Sequence, residues 1–160
     1  MHHNLCLLIL VTLLTACASN PVIDVSQVDG ALTPARVMES PVDSHGKLAL
    51  WGGTILDIQN LKDITQIEVL AYPLDRSQRP LQNKKPLGRV LVLQSGFLEP
   101  TVYTQGKSLT VLGEVGDSQQ GLIGETSYSY PVLVAQEIHL WSPRDDASQT
   151  KFHFGIGIVF

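Results

Sequence analysis

Leu48-Ala49-Leu50-Trp51-Gly52-Gly53-Thr54-Ile55-Leu56-Asp57-Ile58 decides the fold of this chain. Apolar and β-branched residues dominate the run, and no helical period organises them. Two adjacent glycines weaken any regular element, so Gly52-Gly53 marks either a bulge or a point where another backbone comes close. The run therefore reads as a first strand that has to accommodate a crowded neighbour.

Downstream, turn residues divide a Val-, Ile-, Leu- and Thr-rich chain at short intervals. Thr65 to Tyr72 forms a second strand, with Thr65, Ile67, Val69 and Ala71 on one face. Arg89 to Leu93 is almost continuously apolar, as in a central strand. Leu109, Val111, Gly113 and Val115 alternate with Thr110, Leu112 and Glu114. Val132 to Trp141 and Phe152 to Phe160 complete the set. Between the third and fourth strands, Glu99-Pro100-Thr101-Val102-Tyr103 suits a single helical turn. Nothing here sustains a helical period for three turns. The expected class is all-β, a small OB-like closed or partly open barrel of five to six strands. An immunoglobulin-like sandwich needs about seven strands and usually a disulfide or a Tyr corner.

Working back from Leu48, residues 18–46 lack any strand pattern. Pro21, Pro34 and Pro41 recur among Asp24, Asp29, Gly30 and Asp43. As a free tether this stretch would separate its ends by about 30 Å. Ile23, Val25 and Val28 offer the alternative of docking on the domain.

The chain opens with an apolar run, Leu5 to Leu14, interrupted only by Thr12 and closed by Thr15-Ala16-Cys17. The run is too short to span a bilayer and suits a signal-peptide h-region. Leu14-Thr15-Ala16-Cys17 resembles the lipobox of bacterial lipoproteins. That resemblance implies cleavage after Ala16, a diacylglyceryl thioether on the Cys17 sulfur and acylation of the new amino terminus. A cysteine is required because its thiolate is the nucleophile that makes the thioether. Ser19, Asn20 and Pro21 stop any continuing helix. The segment before the run, Met1-His2-His3-Asn4, departs from the pattern in lacking Lys and Arg. Cys6 falls in the discarded part, so the mature chain carries one modified cysteine and no intramolecular disulfide. Ala18 stands where an Asp would favour the inner membrane, which implies delivery to the outer membrane. One acyl chain binds a bilayer only marginally, and two or three hold a protein there. The expected organisation is a signal peptide over 1–16, a lipidated tether over 17–46 and the barrel over 47–160.

With 11 basic and 15 acidic residues the net charge is −4. A mildly acidic chain of this kind is a poor nucleic-acid binder, so no nucleic-acid partner is expected. No second hydrophobic stretch reaches membrane-spanning length.

Several motifs taken together resemble the Slp family of starvation-inducible outer-membrane lipoproteins. They are Trp51-Gly52-Gly53 with Ile55, Glu68-Val69-Leu70-Ala71-Tyr72-Pro73-Leu74-Asp75, Pro80 and Gly88-Arg89. Gly96-Phe97-Leu98-Glu99-Pro100, Tyr103, Gly106 and Leu109-Thr110-Val111-Leu112-Gly113 follow. Ile123-Gly124-Glu125, Tyr128, Tyr130-Pro131-Val132 and His139-Leu140-Trp141 close the series. The resemblance implies an outer-membrane location, a link to starvation or stationary phase, and no enzymatic activity. Val90-Leu91 departs from a family tendency toward an aromatic after the Gly-Arg pair.

The residues themselves supply little catalytic chemistry. There is no Gly-x-Ser-x-Gly elbow, and His45, His139 and His153 form no ligand spacing. Glu137 and His139 share a strand face with Trp141, which reads first as an ordinary polar face ending in an interfacial ring. Glu68, Glu114 and Glu125 would converge only if their strands neighbour one another. Asp145-Asp146 suits a solvated turn better than a calcium loop. No cofactor or metal is expected.

Two surfaces invite a functional reading. Arg76, Arg79, Lys84, Lys85 and Arg89 occupy a stretch without an acidic residue. Each basic side chain near an anionic surface adds about 1 kcal/mol. Arg79, Lys84 and Lys85 would then touch lipid headgroups or an envelope glycan. The plainer reading is a charged loop that keeps an edge strand soluble. At the C-terminus, Phe152, Phe154, Ile156, Ile158 and Phe160 alternate like the last strand of an outer-membrane barrel. Such barrels need about eight strands or more, so this strand serves the core or a partner's sheet edge.

The resulting expectation is a non-enzymatic, lipid-anchored outer-membrane protein with a structural or envelope-maintenance role in starvation or stationary phase. The competing class is an OB-like binding module for an envelope glycan, peptide or small ligand, with Trp51 and Trp141 as stacking platforms. Partners would be the membrane, through the lipid, and an envelope protein or glycan.

Overall fold

A computed structural model describes residues 21–142. Five strands are formed: β1 (Leu48–Asn60), β2 (Ile64–Tyr72), β3 (Gly88–Ser95), β4 (Ser108–Ile123) and β5 (Thr126–Leu140). They close in the order β1-β2-β3-β5-β4, with β4 returning to β1. Every pairing is antiparallel except β3 with β5, which run parallel over Leu91–Leu93 and Val132–Val134. The all-β, OB-like expectation is met, with five strands among the described residues. The sixth expected strand, Phe152 to Phe160, lies outside them.

Alternation explains the ring. Thr65, Ile67, Val69 and Ala71 all point inward and are buried, as their spacing requires. They meet Ile55, Val90, Val92, Leu109, Val111 and Leu133 in one core. β3 reads as continuously apolar because it is covered on both faces. Val90 and Val92 fill the interior, while Leu91 lies outside under Tyr130 and Val132.

Gly52-Gly53 turns out to be a close approach. A Cβ on Gly53 would stand 2.0 Å from the Leu70 carbonyl oxygen, and one on Gly52 would stand 2.9 Å from that of Leu109. The β1 register shift comes further on, between Ile55 and Asp57. Glu99 anchors the expected single turn, its carbonyl accepting from the N–H groups of Val102 and Tyr103.

β4 and β5 run well past the expected ends and form a hairpin arm, from Gln119 opposite Tyr130 to Ile123 opposite Thr126. Gly116-Asp117-Ser118-Gln119-Gln120-Gly121 has no apolar alternation to reveal it. The arm stays β because Ile123, Tyr128 and Tyr130 pack on the outer face of β3.

Between the two readings of residues 18–46, the described part takes the docked one. Thr33 caps a short helix, α1 (Pro34–Glu39), by accepting from the Arg36 N–H, and Pro34 opens it. A second proline opens α2 (Pro41–Ser44) immediately after. Val37 is buried and joins the barrel core, with Leu32 packed beside it, so the segment plugs one end of the barrel. Ile23 is 1% exposed. An uncapped barrel end would leave this apolar surface in water, and burying such side chains contributes about 1.5–3 kcal/mol each.

Candidate functional site

The docked segment is tied down by one residue of the β2–β3 connection. Asp75 begins a turn in which its carboxylate accepts from the Ser77 and Arg79 N–H groups. The turn drives Gln78 to a positive φ of 66°, a conformation costing about 1–2 kcal/mol outside glycine. Four bonds hold it there. Ile23 N–H donates to Gln78 Oε1 at 2.8 Å, and Gln78 Nε2 donates to the Ile23 carbonyl at 2.7 Å. The Gln78 N–H donates to the Asp75 carbonyl at 2.9 Å. The Gln78 carbonyl accepts from Thr110 Oγ1 at 2.7 Å, and that hydroxyl accepts from Trp141 Nε1 at 3.0 Å. The N-terminal segment, the connecting loop, β4 and the end of β5 thus share one hydrogen-bonded chain.

Above this clasp lies a cleft of about 610 Å³. Its walls are mainly apolar and include Val25, Val28, Leu32, Leu50, Leu74 and Leu87. Pro21 stands on its lining with Asp29, Asp75 and Arg76 as the charged groups. Its volume falls in the range of about 300–1,000 Å³ usual for small-molecule sites.

Both tryptophans require correction as stacking platforms. Trp51 and Trp141 are 5% and 8% exposed. Trp51 projects into the barrel and donates its Nε1–H to the Leu32 carbonyl at 2.8 Å, which locks the plug to β1. Trp141 is covered by Arg79, whose guanidinium carbon is 5.0 Å from the ring centroid, and by His139, edge-on at 4.4 Å. A buried indole needs a partner for its N–H, and both find one inside the protein.

Arg79 is therefore half-buried in the fold, whereas Lys84 and Lys85 are exposed. The loop carrying them protects no free edge of β2, because β2 pairs with β1 on one side and β3 on the other. Leu87, two residues beyond Lys85, lines the cleft together with Pro21. Cys17 itself lies outside the described residues, as do His153 and Asp145-Asp146.

The three glutamates do not converge. Glu68 pairs with Arg89 at 2.8 Å and accepts from Tyr130 Oη at 3.2 Å on the outside of β2 and β3. Burial, and then the Glu68 carboxylate, hold the Tyr130 phenol above its ordinary pKa, and the hydrogen bond to Glu68 raises that of Arg89. The Glu114 carboxylate accepts from Gln136, and Glu125 sits at the turn of the β4–β5 arm. His45 pairs with Asp117 at 3.4 Å on an exposed surface. Among the described residues no three His, Cys, Asp or Glu side chains gather as metal ligands.

Gln78 and the cleft were missed in the sequence. The turn around Asp75 is legible, but a single glutamine carries no signal of a partner 55 positions away.

Residues 14–157 match the model of the outer membrane lipoprotein Slp family. The chain belongs to that family. Outer membrane protein Slp of Escherichia coli is 32% identical over 140 residues, covering 86% of this chain and 74% of Slp. The uncharacterized lipoprotein YeaY of the same organism is 32% identical over 106 residues, 66% of this chain and 54% of that one. An uncharacterized protein of Haemophilus influenzae is 33% identical over 106 residues, with 64% and 57% covered. The chain thus aligns with little more than half the length of YeaY and of the Haemophilus protein. A small single-stranded DNA-binding protein from Streptomyces coelicolor overlaps 62% of this chain and 97% of its own at TM-score 0.39 and 11% identity, too loosely to carry an argument. Slp membership makes this an outer-membrane lipoprotein.

Proposed function

We propose that this Slp-family protein is a non-enzymatic element of envelope maintenance in starvation or stationary phase, anchored by lipid on Cys17. The observation that carries the reading is the clasp of Ile23 by Gln78. It fixes the domain to its own N-terminal segment only six residues from Cys17, so an anchored domain works close to the membrane. A short, fixed stand-off suits a protein that acts at the membrane surface. The glutamates that would serve an acid–base mechanism are separated, with Glu68 paired to Arg89 and Glu114 to Gln136.

The test is genetic and chemical together. Palmitate labelling and mass spectrometry of the N-terminal peptide should find the acyl groups on Cys17. Cells lacking the protein should admit more of an impermeant dye in stationary phase, and the wild type but not Cys17→Ala should restore the barrier. Restoration by a fully unanchored Cys17→Ala protein would sink the anchored role.

A second reading is favoured by the exposed Lys84 and Lys85 on the β2–β3 connection. They touch anionic headgroups and orient the domain on the surface that holds it. Two lysines near such a surface contribute about 1 kcal/mol each.

A further inference from the structure

A cleft of about 610 Å³ lies between the docked N-terminal segment and the β2–β3 connection. Val28 and Leu32 of the docked segment line it together with Leu50, Leu74 and Leu87. Leu87 remains 37% exposed there, although the core lies directly beneath. Trp51 and Gln78 also stand on its lining and are fixed by their bonds to Leu32 and Ile23.

Position and charge together indicate the occupant. Pro21 lines the cleft, and Cys17 precedes it by four residues, a reach of at most about 14 Å. A hydrocarbon chain on the Cys17 sulfur is thus held within its own length of an apolar cleft. The charged groups of the lining are Asp29, Asp75 and Arg76, two carboxylates against one guanidinium. Both carboxylates already accept backbone N–H groups in local turns. A free fatty acid or an anionic phospholipid would bring a negative head to this rim. A diacylglyceryl thioether is uncharged and brings none.

We propose that the cleft houses one acyl chain of the protein's own Cys17 lipid while the remaining chains stay in the bilayer. This inference rests on the lipidation of Cys17. Lipid tails are as apolar as leucine, so a chain exchanges between bilayer and cleft with little change in its surroundings. Seating one chain draws the cleft onto the membrane surface and sets the tilt of the domain.

The experiment uses the full lipoprotein in its own membranes. Cells are fed a palmitate analogue bearing a diazirine, the membranes are irradiated, and the purified protein is digested for mass spectrometry. The expected product joins the Cys17 acyl group to the peptides that carry Leu50, Leu74 or Leu87. Leu87→Glu, at the exposed rim, should reduce that product several-fold. Phospholipid adducts at the same peptides would assign the cleft to membrane lipid and overturn the proposal. Acylated Cys17 with no adduct there would overturn it too, leaving the lipoprotein reading intact. An unacylated Cys17 would remove that reading and this inference together.

Discussion

Gln78 and Ile23 lie 55 positions apart and exchange two hydrogen bonds, at 2.8 and 2.7 Å, each through the main chain of Ile23. Both residues are buried, so neither bond has water as an easy substitute. Gln78→Ala leaves the N–H and carbonyl of Ile23 unpaired while the backbone at position 78 keeps its positive φ. The expected cost is about 1–3 kcal/mol. Denaturant titration measures it, and limited proteolysis should cut first within residues 21–32. A variant as stable and as protected as the wild type would remove the clasp from this account.

Gly53 tests the closure of the barrel. An added Cβ stands 2.0 Å from the Leu70 carbonyl oxygen and 2.7 Å from Val69 Cγ1, both fixed by β2. Gly53→Ala should destabilise by more than about 3 kcal/mol, whereas Gly30→Ala, with open space around it, should stay within about 0.5 kcal/mol. Equal melting temperatures for the two variants would contradict this packing.

Tyr130 gives the fold an alkaline limit. Burial first, and then the neighbouring Glu68 carboxylate, raise its pKa in the folded state. In the unfolded chain a tyrosine ionises near about pH 10. The stabilisation is therefore fully present below that pH and is lost as pH rises through the folded value. Tyr130→Phe should flatten the alkaline fall in unfolding free energy, with a cost near neutrality of about 1 kcal/mol from the lost bond to Glu68. Identical alkaline slopes for variant and wild type would assign the limit to other groups.

Lys84 and Lys85 should matter only at an anionic surface. In the described domain alone, residues 21–142, replacing both lysines by Gln should weaken binding to anionic vesicles by about fivefold per charge. The effect should shrink as salt rises, and neutral vesicles should show none. Unchanged sedimentation with anionic vesicles would limit the loop to a solvated surface.

How much could be read in advance follows from the range of each interaction. Thr65, Ile67, Val69 and Ala71 announced their face because alternation is local and every second residue tests it. Leu91 and Val92 announced a strand covered on both sides, though not what covered it. The β4–β5 arm stayed hidden because its Asp, Ser, Gln and Gly residues are held by pairing and by Tyr128 and Tyr130, not by a pattern of their own. Trp51 and Trp141 were misplaced for a related reason. A tryptophan's sequence neighbours say nothing of whether its N–H meets water, the Leu32 carbonyl or the Thr110 hydroxyl.

The amino-acid sequence by itself determined the all-β class, the turn at Glu99 and the family. Each of these is written in adjacent residues or a short period. Only the tertiary structure decided that residues 21–44 plug the barrel, that Gln78 clasps Ile23, and that an apolar cleft opens beside Pro21. Those features need surfaces from distant parts of the chain to meet. Hydrogen-bond geometry and buried area come into being only when they do.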